Sequence, residues 1–223
     1  MRCLRKISAS FAVAAVLLAL CFGHPAAAKP LRIVLSSPLV DVGSGPENCT
    51  PAISGFGGPP VWQVQLERLL LDGKALVEMS REAKLNRLPL CIADRPVAAN
   101  VEAELSFVAH DGRVARAVGI VLRFADPQDY YIVEADLLRG RVRLLRILNG
   151  ERRQIAERAA SLAMEKSQTL GVRAVGEKFT VHLNGEVLLE TRDGGIAAAG
   201  RVGVSSRADS FTSIGDLFIA TLD

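Results

Sequence analysis

From Val61 to the C-terminus the apolar positions alternate with polar ones or run continuously for a few residues, and turn signals interrupt them every eight to twelve residues. That texture predicts short strands packed as a sandwich or barrel. Asn100 to Val108 sets Val101, Ala103, Leu105 and Phe107 on one face and Glu102, Glu104 and Ser106 on the other, so one side packs and the other is wet. Arg116 to Phe124 and Tyr130 to Ala135 flank the turn Asp126-Pro127-Gln128-Asp129 and form a meander with Arg141 to Leu148. Gln168 to Val175 leads into Phe179 to Leu183, and Asn184-Gly185 turns that strand into Glu186 to Thr191. Asn-Gly between β runs is a strong hairpin signal, because a type I′ turn needs positive φ at both central residues. Strands near Gly200 to Ser205 and from Phe211 to Leu222 bring the expected number to about twelve. Helical periodicity is nearly absent. Its one foothold, Leu76 to Leu88, is cut by Asn86 and Pro89, and a short strand with a loop fits as well.

The first sixty residues have a different character. Arg2, Arg5 and Lys6 precede an apolar stretch from Phe11 to Phe22, and Ala26-Ala27-Ala28 offers a cleavage site, so residues 1–28 read as a signal peptide of a secreted or periplasmic protein. The apolar stretch of about 12 residues is short of the roughly 20 that span a bilayer, so no stable membrane insertion is expected after cleavage. Residues 29–60, ending in Gly57-Gly58-Pro59-Pro60, read as an extended N-terminal arm or linker, and 61–223 as the β domain.

Cleavage changes both charge and cysteine chemistry. Lys+Arg falls from 27 to 24 against 24 Asp+Glu, so the basic excess leaves with the leader, and with it any expectation of nucleic-acid binding. Cys3 and Cys21 go too. Cys49 and Cys91 remain in an oxidising compartment and are expected to form a disulfide, since neither has the partners of a zinc or redox motif. Arginines between Arg139 and Arg158 are interleaved with Asp136, Glu151 and Glu157 and read as a solvated strand and turn surface.

Candidate chemistry is sparse. Apart from the leader only His110 and His182 occur, no Gly-x-Ser-x-Gly elbow, phosphate loop or H-E-x-x-H pair is present, and no catalytic set is assigned. Arg123, Tyr130, Glu134 and Arg143 fall on three strands expected to be neighbours. Alternation puts Tyr130 rather than Tyr131 on the face of Glu134. An aromatic ring with an arginine and a carboxylate suits sugar recognition, the ring against apolar sugar faces and the charged groups on hydroxyls. A buried tyrosine beside a surface salt bridge is the competing reading. Lone Trp62 reads as a core plug, and an aromatic content of 5% counts against a ring-lined sugar site.

The successive segments A-V-G-I-V-L-R-F-A-D-P-Q-D-Y-Y-I-V-E, R-V-R-L-L-R-I-L-N-G, F-T-V-H-L-N-G-E-V-L-L-E-T-R-D and G-R-V-G-V-S-S-R-A-D-S resemble those of the secreted concanavalin A-like jelly rolls, near the laminin G-like and 3-keto-disaccharide hydrolase-like domains. The resemblance covers residues 61 to 222. It implies an all-β antiparallel two-sheet sandwich, and either a carbohydrate-binding or adhesion role or glycoside cleavage. The departures matter. The Glu-x-Asp-x-x-Glu strand of laminarinase-type glucanases is represented only by Glu102-x-Glu104 followed by Phe107, and Ser167 stands where related domains carry tryptophan. No cofactor is expected. Calcium is the one metal that the loop carboxylates Asp126, Asp129 and Asp209 would suit. The leading expectation is a non-catalytic module binding an oligosaccharide or polysaccharide through Arg123, Tyr130, Glu134, Arg143 and Asp209. The alternatives are a glycoside hydrolase or lyase using Glu134, Arg123 and Asp209, and a structural envelope protein acting through protein contacts.

Overall fold

Alternation along the chain resolves into fifteen strands and no helix among residues 31–33, 35 and 40–222, which are those the computed structural model describes. The expected leader lies outside them. In chain order the strands are β1 (Leu31–Ile33), β2 (Cys49–Gly55), β3 (Trp62–Leu66), β4 (Lys74–Glu78), β5 (Arg87–Ala98), β6 (Val101–Asp111), β7 (Ala117–Asp126), β8 (Asp129–Asp136), β9 (Arg141–Leu148), β10 (Glu151–Ala159), β11 (Gln168–Val175), β12 (Lys178–Leu183), β13 (Glu186–Arg192), β14 (Gly200–Ser206) and β15 (Phe211–Thr221).

They form two antiparallel sheets. One runs β13-β12-β11-β6-β15-β4-β3, with β1 paired to β15, and the other runs β10-β9-β8-β7-β14-β5-β2. The expected two-sheet sandwich is therefore present. The helix rival fails as the prolines and turn residues indicate: β4 ends at Glu78, and β5 begins at Arg87. The stretch 29–60 supplies one strand to each sheet, β1 against Ile219 to Leu217 and β2 against Ala93 to Arg87.

The core lies between the sheets. Leu105, Phe107, Leu170 and Phe179 from one sheet meet Ile120, Leu122, Tyr131, Val133 and Leu144 from the other, all fully buried. Each such side chain contributes about 1.5–3 kcal/mol by leaving water. Trp62 joins this core and donates its indole N–H to the Leu90 carbonyl at 2.9 Å, the plug role expected of it. Cys49 and Cys91 are bonded (S–S 2.03 Å), tying β2 to β5. Closing that loop would stabilise the fold by about 4 kcal/mol on the chain-entropy account.

Candidate functional site

The second apolar layer lies on the other face of the seven-stranded sheet. Because side chains alternate, Tyr130 and Ile132 of β8 point away from the core that Tyr131 and Val133 fill. Leu88, Leu90, Ile92, Val121, Phe124, Leu145 and Ile147 from β5, β7 and β9 complete the layer. Register explains its make-up: Tyr130 pairs with Ile147 and Ile132 with Leu145, and two positions further on Glu134 pairs with Arg143. The face thus passes from apolar to ionic along a single pair of strands.

At its ionic end, four guanidinium groups surround two buried carboxylates. Glu134 is ion-paired with Arg143 and lies 3.4 Å from Arg207 and 3.5 Å from Arg152. Asp136 contacts Arg207 at 2.7 Å, Arg139 at 3.1 Å and Arg143 at 3.3 Å. Burial alone would raise the Asp136 pKa, but the charge and hydrogen bond of Arg207, then those of Arg139, hold it below the usual 3.8. A carboxylate depressed in this way stabilises the fold in full above its unfolded pKa, and that contribution is lost as pH falls through the folded value. The urea midpoint is accordingly expected to be level in mildly acidic buffer and to drop below about pH 4, less steeply in Asp136→Asn. An Asp136→Asn protein with an unchanged acid limb would refute this assignment.

A cleft of about 190 Å³ opens at the other border of the face, lined by Ser54, Gly55, Phe56, Asn86, Leu88, Ile147, Gly150 and Arg152. Leu88 and Ile147 belong to the apolar layer and Arg152 to the ionic cluster, so the cleft connects the two. Phe56 is 78% exposed at its rim. The loop carrying it is held from beneath by Arg87, which donates to the Gly58 and Pro59 carbonyls at 3.3 and 3.2 Å.

Of the sequence-derived candidates, Tyr130, Glu134 and Arg143 share this face, but not in the form expected. Tyr130 is fully buried, and burial pushes its phenol up to about 12. Its hydroxyl lies beside Ser54 without a hydrogen bond of good geometry. In the Glu134–Arg143 pair the carboxylate is buried and the guanidinium half-buried, so it is not a surface salt bridge. Arg123 does not join them. Strict alternation from Val121 would turn it outward, but Arg123 adopts φ 51° at a bulge in the β7–β8 ladder, and such irregularities re-aim a side chain. Its guanidinium instead lies 5.8 Å from the Tyr131 ring centre and 5.3 Å from that of Phe179, on the core side. Gly200 makes room for it, since a Cβ there would come within 2.7 Å of the Arg123 Cα. Asp209 is also elsewhere: its carboxylate accepts from the Arg113, Val114 and Ala115 amides at 2.9–3.2 Å. Burial raises its pKa, and these amide bonds more than reverse the effect. Glu134, Arg123 and Asp209 therefore occupy three separate settings and form no common reacting centre.

The loop carboxylates considered for calcium spend oxygens on backbone amides, Asp126 on Gln128 and Asp129 on Asn149, both at 2.7 Å. Among the described residues no group of three or more His, Cys, Asp or Glu is placed to hold a metal ion. His110, the penultimate residue of β6, lies between Glu67 and Glu165 at 2.8 and 3.0 Å.

Residues that sequence reasoning missed are Phe56, Asn86, Asp136 and Arg207. Glu134-x-Asp136 facing Arg141-x-Arg143 across a short hairpin could have exposed part of the cluster, since period-two spacing puts each pair on one face. Nothing local pointed to Arg207, which reaches the cluster from the loop between β14 and β15.

No family model and no curated protein sequence matches the chain. Solved structures do. The carbohydrate binding module CBM66 from Bacillus subtilis superposes with a TM-score of 0.61 at 16% identity, over 78% of this chain and 97% of that one. The exoplasmic/lumenal domain of VIP36, in its Ca²⁺/Man-bound form, gives 0.58 at 12% identity, over 85% and 90%. A Bacillus subtilis protein of unknown function with a galectin-like fold gives 0.52 at 10%, over 77% and 89%. The fold shared with them is the two-sheet β-sandwich. At these identities the likeness is one of architecture, consistent with a concanavalin A-like jelly roll.

Proposed function

We propose that this protein is a non-catalytic carbohydrate-binding module, exported to the periplasm or cell exterior, and that it takes a sugar in the cleft bordered by Phe56, Asn86 and Arg152. The observation that carries the reading is this cleft itself, lined by the exposed ring of Phe56, by Asn86 and Arg152, and by the apolar residues Leu88 and Ile147. Rings offer an apolar face to sugar C–H groups, while amide and guanidinium groups supply directional hydrogen bonds. At about 190 Å³ the cleft is smaller than the roughly 300–1,000 Å³ sites that enclose drug-sized ligands. It suits one terminal residue of a chain better than a long segment. Architecture lends support, since CBM66 is named a carbohydrate binding module and the VIP36 domain was solved with bound mannose. The Cys49–Cys91 disulfide supports export, because such bonds persist in oxidising compartments.

Calorimetric titration with a panel of neutral and acidic oligosaccharides tests the reading. Binding that Phe56→Ala weakens by about tenfold, equivalent to about 1.4 kcal/mol, is the expected result. Because Phe56 is exposed, that variant should keep the parent's unfolding midpoint. A flat response from the folded protein across the whole panel would overturn the proposal.

A further inference from the structure

Charge does not balance in the ionic cluster that Arg152 shares with the cleft. Arg139, Arg143, Arg152 and Arg207 gather around only Glu134 and Asp136, leaving two cations in excess. Elsewhere, exposed arginines such as Arg141 with Glu157 and Arg173 with Glu102 meet carboxylates one to one. The excess is placed where it is costly. Side-chain exposure falls from 29% at Arg152 to 13% at Arg143 and 4% at Arg207, and Glu134 exposes 1%. Burial pushes the Arg152 pKa down, Glu134 pulls it back, and the like charges of Arg207 and Arg143 depress it further.

Hydrogen bonding is also incomplete there. Arg143 Nε, Arg152 Nη2, Arg207 Nε and Glu134 Oε2 are all buried without a hydrogen-bond partner. A buried polar atom left unpaired costs about 1–3 kcal/mol. Three of these four are donors, and all three belong to cations. A neutral hydroxyl could satisfy one donor but leave the charge imbalance intact, whereas a carboxylate can answer both. Guanidinium forks accommodate carboxylates bidentately, an arrangement roughly twice as strong as neutral hydrogen bonds. Arg152 lines the cleft, so an anion on a sugar seated there meets it first.

We infer that the sugar recognised by this protein is a uronic acid, its carboxylate docking on Arg152, with Arg143 and Arg207 behind it in the ionic cluster. The inference rests on the cleft being the sugar site. It goes further by fixing the ligand's charge and the atoms that read it.

The test compares oligouronates, such as tetragalacturonate and tetramannuronate, with their carboxyl-reduced counterparts, in which each carboxylate has become a primary alcohol, and with sulfated neutral tetrasaccharides. The uronate is expected to bind the native protein at least tenfold more tightly than its reduced form. Arg152→Gln should remove that difference, Arg152→Lys should restore part of it, and raising the salt concentration should narrow it. Equal binding of uronate and reduced form would overturn the carboxylate inference while leaving the glycan reading intact. Preference for the sulfated sugar would overturn uronate specificity alone. Binding of none of them, nor of any member of the wider panel, would remove both readings. The comparison of native protein with paired ligands stands even where a variant fails to fold.

Discussion

Glu78→Ala is expected to cost about 3–5 kcal/mol in urea unfolding, the range seen when one partner of a buried ion pair is removed. Arg87 and Glu78 expose 0% and 1%, and the guanidinium donates to both carboxylate oxygens at 3.1 and 3.2 Å. Glu78 also accepts from the Val61 amide at 2.9 Å and the Ser80 hydroxyl at 2.6 Å, so its removal strands three kinds of donor at once. Burial by itself would push the Glu78 carboxyl up, and the Arg87, Ser80 and Val61 bonds bring it below its ordinary 4.5. The sign is therefore that of a stabilising carboxylate at neutral pH. Replacing both partners by apolar residues, Glu78→Leu with Arg87→Met, should cost less than the single change, because no buried charge is left alone. A loss below about 1 kcal/mol in Glu78→Ala would mean that the pair is not desolvated as its burial implies. The effect should reach function as well. Arg87 supports the backbone of Gly58 and Pro59, and Gly57, at φ 156°, lets that loop settle on the arginine stem, where a Cβ would approach Arg87 Cδ to 2.5 Å. Faster amide exchange from Phe56 to Gly58 in Glu78→Ala, with weaker sugar binding, is the corresponding measurement.

The regular part of this fold could be read from the sequence because each strand carries its own evidence. Arg141–Leu148 and Gln168–Val175 begin and end where alternation and turn residues place them. Non-local pairing hid the rest. Cys49–Gly55 is a short run with Pro51 inside it, and it becomes a strand by pairing with β5 at a sheet edge, where proline is tolerated. Glu151–Ala159 is so charged that it reads as surface, and it is an edge strand whose ladder against β9 is set by the Asn149-Gly150 turn. The candidate site divides in the same way. Alternation placed Tyr130 and Glu134 on one face, because that inference needs only a period of two, and Arg143 joined them through the expected neighbouring strand. It failed at Arg123, where one residue in the left-handed region breaks the period, and it could not bring in Arg207 or Phe56, which arrive from loops remote in sequence.

Arg123→Ala is the second substitution expected to be severe, at about 2–4 kcal/mol, because it removes the packing of a buried stem and strands the buried Ile196 carbonyl, which costs about 1–3 kcal/mol unpaired. Arg123 is 2% exposed and makes no ion pair with a carboxylate among the described residues. Its Nε donates to Ala99 O at 2.9 Å, Nη1 to Ile196 O at 2.7 Å and Nη2 to Gly176 O at 2.5 Å. Those carbonyls lie in three separate connections, between β5 and β6, β11 and β12, and β13 and β14. Burial lowers the Arg123 pKa, and carbonyl dipoles with the faces of Tyr131 and Phe179 take the place of a counter-ion. The arginine thus pins one end of the sandwich. Arg123→Met keeps the stem's packing but none of the five donors, so it should recover only the apolar part of the loss. Arg123→Lys should fare little better, since one ammonium cannot span three carbonyls held by a planar fork. Hydrogen exchange should rise at all three connections together in Arg123→Ala, while sugar affinity per folded molecule stays that of the parent. Should affinity collapse while the urea midpoint holds, Arg123 would belong to the binding face after all, and the core-side placement at the bulge would be wrong.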